Sequence, residues 1–100
     1  MRYNLEYLPI AKKDIRGIAM YIAHELDAPV AAAKLVQEIR RMANNLCETP
    51  YMYREYHHDE PRNEIVYRVM PVKNYILFYT VCEERKTVEV HRVLYILLHG

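Results

Sequence analysis

The chain has 100 residues, enough for one compact domain but not two cores, and its 52% hydrophobic and 27% charged residues belong to a folded protein, not a disordered one. Fourteen Lys and Arg against thirteen Asp and Glu leave a net charge of +1, spread evenly over the two halves, which argues against broad phosphate-neutralising affinity while leaving room for a local basic patch. No run approaches the roughly 18 apolar residues that span a bilayer, and Met1-Arg2-Tyr3-Asn4 lacks the apolar core of a signal peptide, so a cytoplasmic chain without membrane contact is expected.

Tyr3 to Leu8 alternates large apolar and polar residues up to Pro9, the period of a half-buried first strand. Beyond Pro9, Ala11, Ile15, Ile18, Ile22 and Leu26 recur every three or four residues and predict one apolar helix face, with Lys12, Lys13, Asp14, Arg16, His24 and Glu25 on the others. Gly17 inside this helix costs about 1 kcal/mol relative to Ala and suggests close packing against a neighbour. Asp27-Ala28-Pro29 breaks the pattern, and Pro29 suits the first position of a second helix. That helix carries the stripe Ala32, Leu35, Ile39, Met42 and Leu46, turns Lys34, Gln37, Glu38, Arg40 and Arg41 outward, and ends before Pro50. So short a connection makes the two helices an antiparallel hairpin.

Tyr51 to Arg62 has no period and is expected to be a structured loop. Three strands follow: Glu64 to Met70, ended by a turn at Pro71; Asn74 to Val81, apolar enough for a central strand covered on both faces; and, after the charged turn Glu83–Lys86, Thr87 to Val93 with Val88 and Val90 inward and Glu89 and His91 outward. The order strand, helix, helix, strand, strand, strand predicts a single α+β domain over residues 1–100, a helical hairpin on a mainly antiparallel four-stranded sheet.

The chemistry-bearing residues are few. Cys47 and Cys82 lie too far apart for a zinc or redox pair and are expected to be buried free thiols. His57-His58-Asp59-Glu60 has metal-ligand types, but adjacent side chains seldom converge on one ion, so neither metal nor cofactor is expected. Tyr51, Tyr53 and Tyr56 could stack on bases, although packing is the default for tyrosine. His91 has a pKa suited to a general base, yet a lone strand histidine is more often polar surface. Arg68 and Arg92 are each either part of a site or cross-sheet partners of carboxylates.

Tyr67-Arg68-Val69, Asn74-Tyr75, Phe78-Tyr79 and His91-Arg92-Val93-Leu94, together with Tyr7-Leu8-Pro9-Ile10-Ala11, Asp14, Tyr21-Ile22 and Pro50, resemble in order and spacing the RelE/ParE toxin superfamily, the ParE-like branch above all. The resemblance runs from Tyr3 to about Tyr95. It implies a bacterial toxin paired with a cognate antitoxin protein, with growth inhibition and plasmid stabilisation as the associated phenotypes. The target is DNA gyrase, inhibited by binding, for ParE-like members, or ribosome-bound mRNA, cleaved, for RelE-like ones.

RNA cleavage by attack of the 2′-hydroxyl needs a proton acceptor, a cation at the phosphate and an acid for the leaving oxygen. RelE-like toxins carry an arginine where this sequence has Ile76 and another where it runs Leu94-Tyr95-Ile96-Leu97-Leu98. That leaves Arg68, Arg92, Tyr95 and His91 as catalytic candidates, none compelling, and Arg68, Tyr75, Tyr79 and Arg92 as candidate contacts for target or antitoxin. Gyrase-type binding without an enzymatic step is the preferred expectation; the alternatives are a ribosome-dependent endoribonuclease and a non-toxic remnant that only binds antitoxin. The apolar ending is expected to be a continuing strand, a surface awaiting a partner or an altered, inactive tail, and a homodimer is left open.

Overall fold

The computed structural model describes residues 2–57 and 65–96. Strand β1 (Asn4–Tyr7) leads into helix α1 (Pro9–Met20), a π-helical turn (Tyr21–Glu25) and helix α2 (Pro29–Leu46); β2 (Arg68–Val72), β3 (Tyr75–Cys82) and β4 (Thr87–Tyr95) complete a four-stranded sheet in the order β1-β4-β3-β2. β1 runs parallel to β4 and the other pairs are antiparallel. This is the expected α+β arrangement. His58, Asp59, Glu60, the Glu64 strand start and the residues after Ile96 lie outside the described residues.

Both helices begin on a proline and neither has a side-chain cap, because a proline at the first turn removes one N–H that would otherwise need a partner. Their stripes meet the sheet as the spacing predicts. Ala11, Ile15, Leu35, Ile39, Ala43 and Leu46 pack against Met70, Val72, Leu77, Tyr79, Val88, Val90 and Val93, all buried. Each fully buried Ile, Leu or Val here contributes about 1.5–3 kcal/mol relative to exposure. Tyr79 takes its ring into the same core, and its hydroxyl donates to the Pro50 carbonyl at 2.7 Å. Burial pushes that phenol up to about 12, against the nearby Arg68 charge.

Five expectations need correction. Leu26 stands in register with the α1 stripe, but the π-helical turn carries it out of that register: its N–H bonds five residues back to the Tyr21 carbonyl, and the side chain is exposed. Pro71 is no turn; it lies inside β2 opposite Ile76, tolerated because β2 is an edge strand, and the turn falls at Lys73-Asn74, where Lys73 adopts φ +54°. β3 is covered closely on one face only, with Leu77 and Tyr79 buried and Ile76 and Phe78 half-buried on the other. Cys47 is buried, whereas Cys82 is only partly so. Gly17 is not in close packing: a Cβ there would meet nothing within 4 Å.

The segment after α2 is held, not free. Arg54 and Glu55 run beside the outer edge of β2, with the Val69 N–H donating to the Arg54 carbonyl and the Tyr56 N–H to the Tyr67 carbonyl. A covered edge is protected from pairing with another chain.

Two stability outcomes follow from these contacts. Gly17→Ala, in open space on a helix, is expected to stabilise the dilute chain by about 0.5–1 kcal/mol, raising the thermal midpoint by a few degrees. Tyr79→Phe leaves the buried Pro50 carbonyl without its donor and should cost about 1–2 kcal/mol in urea unfolding. A neutral result for Tyr79→Phe would mean that the hydroxyl does not hold the loop.

Candidate interaction surfaces and the site residues

β4 has nine residues and its parallel neighbour β1 only four, so β1 pairs with β4 no farther than Val90, whose carbonyl accepts the Leu8 N–H. Beyond that point Asp14 of α1 supplies what the missing strand would have supplied. Its carboxylate accepts the Val93 backbone N–H at 3.0 Å and both Nε and Nη2 of Arg92, at 2.7 and 3.1 Å. Burial works against the carboxylate's charge, yet the Arg92 guanidinium and the Val93 N–H hold it below its ordinary value of 3.8. Arg92 is thereby fixed to α1, with part of its surface still in solvent.

The strand changes phase just before this clamp. Phe78 opposes Arg92 and Tyr79 opposes Val90, which leaves His91 as the extra residue of a β-bulge. The phase change returns Val93 to the core and turns His91 and Arg92 toward the sheet face away from the helices. There His91 shares a 2.9 Å hydrogen bond between Nε2 and the Thr80 hydroxyl and meets the Tyr67 ring edge-on at 5.1 Å. Burial pushes its pKa below the usual imidazole range, against the opposing charge of Glu89. His91 and Arg92 line an aromatic cleft of about 310 Å³ with Ile10, Tyr56, Tyr67, Phe78 and Leu94.

The remaining candidates lie elsewhere. Arg68 turns to the loop after α2, donating to the Tyr53 carbonyl at 2.7 Å, pairing with Glu55 at 3.6 Å and sitting 5.0 Å over the Tyr51 ring. Tyr79, its cross-strand neighbour, is fully buried and offers no surface to a partner. Tyr75 and Tyr95 meet edge-on at 5.4 Å at the far end of the sheet, beside the π-helical turn. The structure therefore brings His91 and Arg92 together, pairs Tyr75 with Tyr95, and separates both from Arg68. Among the described residues, no cluster of three or more His, Cys, Asp or Glu is placed to hold a metal ion, and no helix is long and apolar enough to cross a membrane.

A second surface is the groove expected between the helical hairpin and the sheet as the antitoxin site, with its cations expected only as outward helix residues. Between β1, α1 and α2 runs a groove of about 900 Å³ with an apolar floor of Leu5, Tyr7, Ile15, Ala19 and Val36. Lys12, Arg16, Arg40 and Arg41 stand along it, and among the described residues no carboxylate lines it. Arg41 is shared with Glu38, at 2.8 Å. The signal was present in the spacing: cations at 12 and 16 fall one turn apart on the flank of one stripe, and those at 40 and 41 flank the other.

The family model for the ParE toxin of type II toxin-antitoxin systems matches residues 5–95. The chain belongs to the ParE toxin family. The fold agrees: the toxin of a chromosomal ParDE system from P. aeruginosa superposes with a TM-score of 0.75 at 17% identity, covering 96% of this chain and 98% of that one. The intact E. coli RelBE toxin-antitoxin complex gives 0.64 at 16% identity over 96% and 99% of the two chains, and the Mycobacterium tuberculosis RelBE2 complex 0.60 at 17% over 96% and 100%. No curated protein is matched by the sequence. Within this family frame, the Asp14–Arg92–Val93 clamp accounts structurally for Arg92, and the Tyr51–Tyr53 carbonyls account for Arg68.

Asp14 makes stability depend on pH in a defined direction. Its folded pKa is depressed, so the clamp's contribution is present above the ordinary carboxylate value near 4 and disappears as pH falls through the lower folded value. Asp14→Ala should cost about 1–2 kcal/mol at pH 7, discounted for the partly exposed guanidinium, and little at pH 2. Urea midpoints for both proteins across that range check this; an equal cost at both pH values would show that the carboxylate's charge plays no part.

Proposed function

We propose that this toxin acts by binding DNA gyrase, without hydrolytic chemistry of its own, and that a cognate antitoxin neutralises it by docking in the groove between the helical hairpin and the sheet. The observation that carries the first part is the dispersal of the groups an RNA-cleaving site would need. Ribonucleolytic attack requires acceptor, cation and acid within hydrogen-bond reach of one phosphate. Here Arg68 is spent on loop carbonyls, Arg92 on Asp14 and His91 on Thr80, and Tyr95 stands by Tyr75. The positions where RelE-like nucleases carry arginines hold Ile76 and an apolar run. The family match to ParE supports the same choice.

For the antitoxin, the groove offers an apolar floor, unopposed cations and the open outer edge of β1, the features that favour a segment folding as it binds.

Inducing the chain alone in bacteria, while following plasmid supercoiling and mRNA decay in one culture, tests the target. Gyrase impairment with intact mRNA is expected. Rapid translation-dependent mRNA cleavage would sink the binding mechanism and make Arg68, Arg92 and Tyr95 the residues to substitute, whereas normal growth with neither effect would leave only an antitoxin-binding remnant. In the groove, Arg16→Glu with Arg40→Glu should weaken antitoxin binding at least ~10-fold, chiefly at low salt.

A further inference from the structure

The helical hairpin has a second flank, facing away from the cationic groove, and it differs in kind. A groove of about 760 Å³ runs from the tip of the hairpin to the far end of the sheet, walled by Ile18, Tyr21, Ile22, Leu26, Tyr75 and Tyr95. Among the described residues that line it, Lys73 is the one that is charged. Tyr21, Leu26 and Tyr95 remain 57%, 56% and 59% exposed. These are large apolar surfaces left in water together, not singly.

Two features show that the backbone holds this surface open. In an uninterrupted α-helix Leu26 would continue the apolar stripe of Ala11, Ile15, Ile18 and Ile22; the π-helical turn carries it to the groove rim instead, and the left-handed Asp27, at φ +49°, ends the helix directly after it. In the wall nearest α1, Gly17 exposes bare helix backbone, at a cost of about 1 kcal/mol that no packing within the chain repays. A side chain from outside can approach the helix axis there more closely than beside any other residue type.

We infer that this groove is a self-association surface, joining two copies of the chain about a two-fold axis, each placing its Leu26 and tyrosine rings against the other's groove at Gly17. The charge pattern selects the occupant. A strongly charged segment finds almost nothing to pair with here, whereas a second copy presents the same uncharged surface, with protruding rings and an empty groove side by side, as an isologous contact requires. The exposed faces of Tyr21, Leu26 and Tyr95 with the remaining groove walls amount to roughly 500 Å² per copy, so a pair would bury on the order of 1,000 Å², the low end of specific interfaces. The tyrosine hydroxyls suit the wet rim of such a contact. Because the cationic groove lies on the opposite flank, pairing leaves it free.

Sedimentation velocity on the purified full-length chain, from low to high micromolar concentration, tests the inference beside Leu26→Glu and Gly17→Lys. Gly17→Lys favours the helix, so loss of association in that variant cannot be assigned to unfolding, and circular dichroism confirms the fold of each. The wild type should pass from monomer to dimer with rising concentration, and either substitution should weaken the dimer about 100-fold by placing an unpaired charge in the contact. A wild type that stays monomeric throughout overturns the inference, as does a dimer that both variants leave intact. A monomeric wild type whose Leu26→Glu variant also fails to retain co-expressed antitoxin assigns the groove to that partner and overturns it equally.

Discussion

β4 outruns the strand beside it, and the rest of the molecule is arranged around that mismatch. A β-strand in a sheet interior needs a partner on each side, since an unpaired buried N–H costs about as much as a lost hydrogen bond. β1 meets this need only to Val90, because Pro9 ends the strand and opens α1. Asp14, one and a half turns into that helix, meets it at Val93 with a carboxylate oxygen. The helix that interrupts the sheet thus also completes it, and this fixes how α1 lies across β4. The bulge at His91 belongs to the same solution: without the extra residue, Val93 would face away from the core.

A comparable constraint governs the other edge. β2 pairs with β3 on one side only, and the chain leaving α2 runs past its other side. Three sets of side chains hold that passage. Tyr79 reaches through the core to the Pro50 carbonyl, Arg68 gathers the Tyr53 and Tyr51 carbonyls, and Tyr3 with Lys86 meets Glu83 beside Tyr51. Carbonyls in an irregular segment have no ladder to accept for them, so long side chains with buried stems and polar tips do the work that backbone does elsewhere. Residues that look chemically competent in the sequence are occupied in this way.

The legible part of the fold was the part written in local periodicity. Both helix stripes, the order of elements along the chain and the inward Val88 and Val90 follow from spacings of two, three or four residues, and the structure shows them. The illegible parts are those decided by partners far along the chain. Nothing near Asp14 announces a residue 78 or 79 positions away as its partner, and nothing near Arg68 names the carbonyls of Tyr51 and Tyr53. Pro71 read as a breaker because a sequence does not say which strand will be an edge. Leu26 was misplaced for a different reason: a helical period assumes every turn has the same pitch, and one π-helical turn rotates all that follows.

The same logic bears on function. In a chain of this size almost every arginine and histidine that the fold needs is consumed by closing strand ends and loops, and chemistry can only use what is left. On the aromatic face His91 is bonded to Thr80, while Arg92 has its guanidinium edge committed to Asp14. The groove along α1 and α2 presents the opposite situation, since Lys12, Arg16 and Arg40 stand over apolar floor with no carboxylate lining opposite them among the described residues. Charges that the fold does not use are available to a partner. That division, with positioned groups holding the sheet and unspent ones lining the helices, suits a protein whose effect comes from surfaces that bind more readily than one whose effect comes from a reaction it must perform.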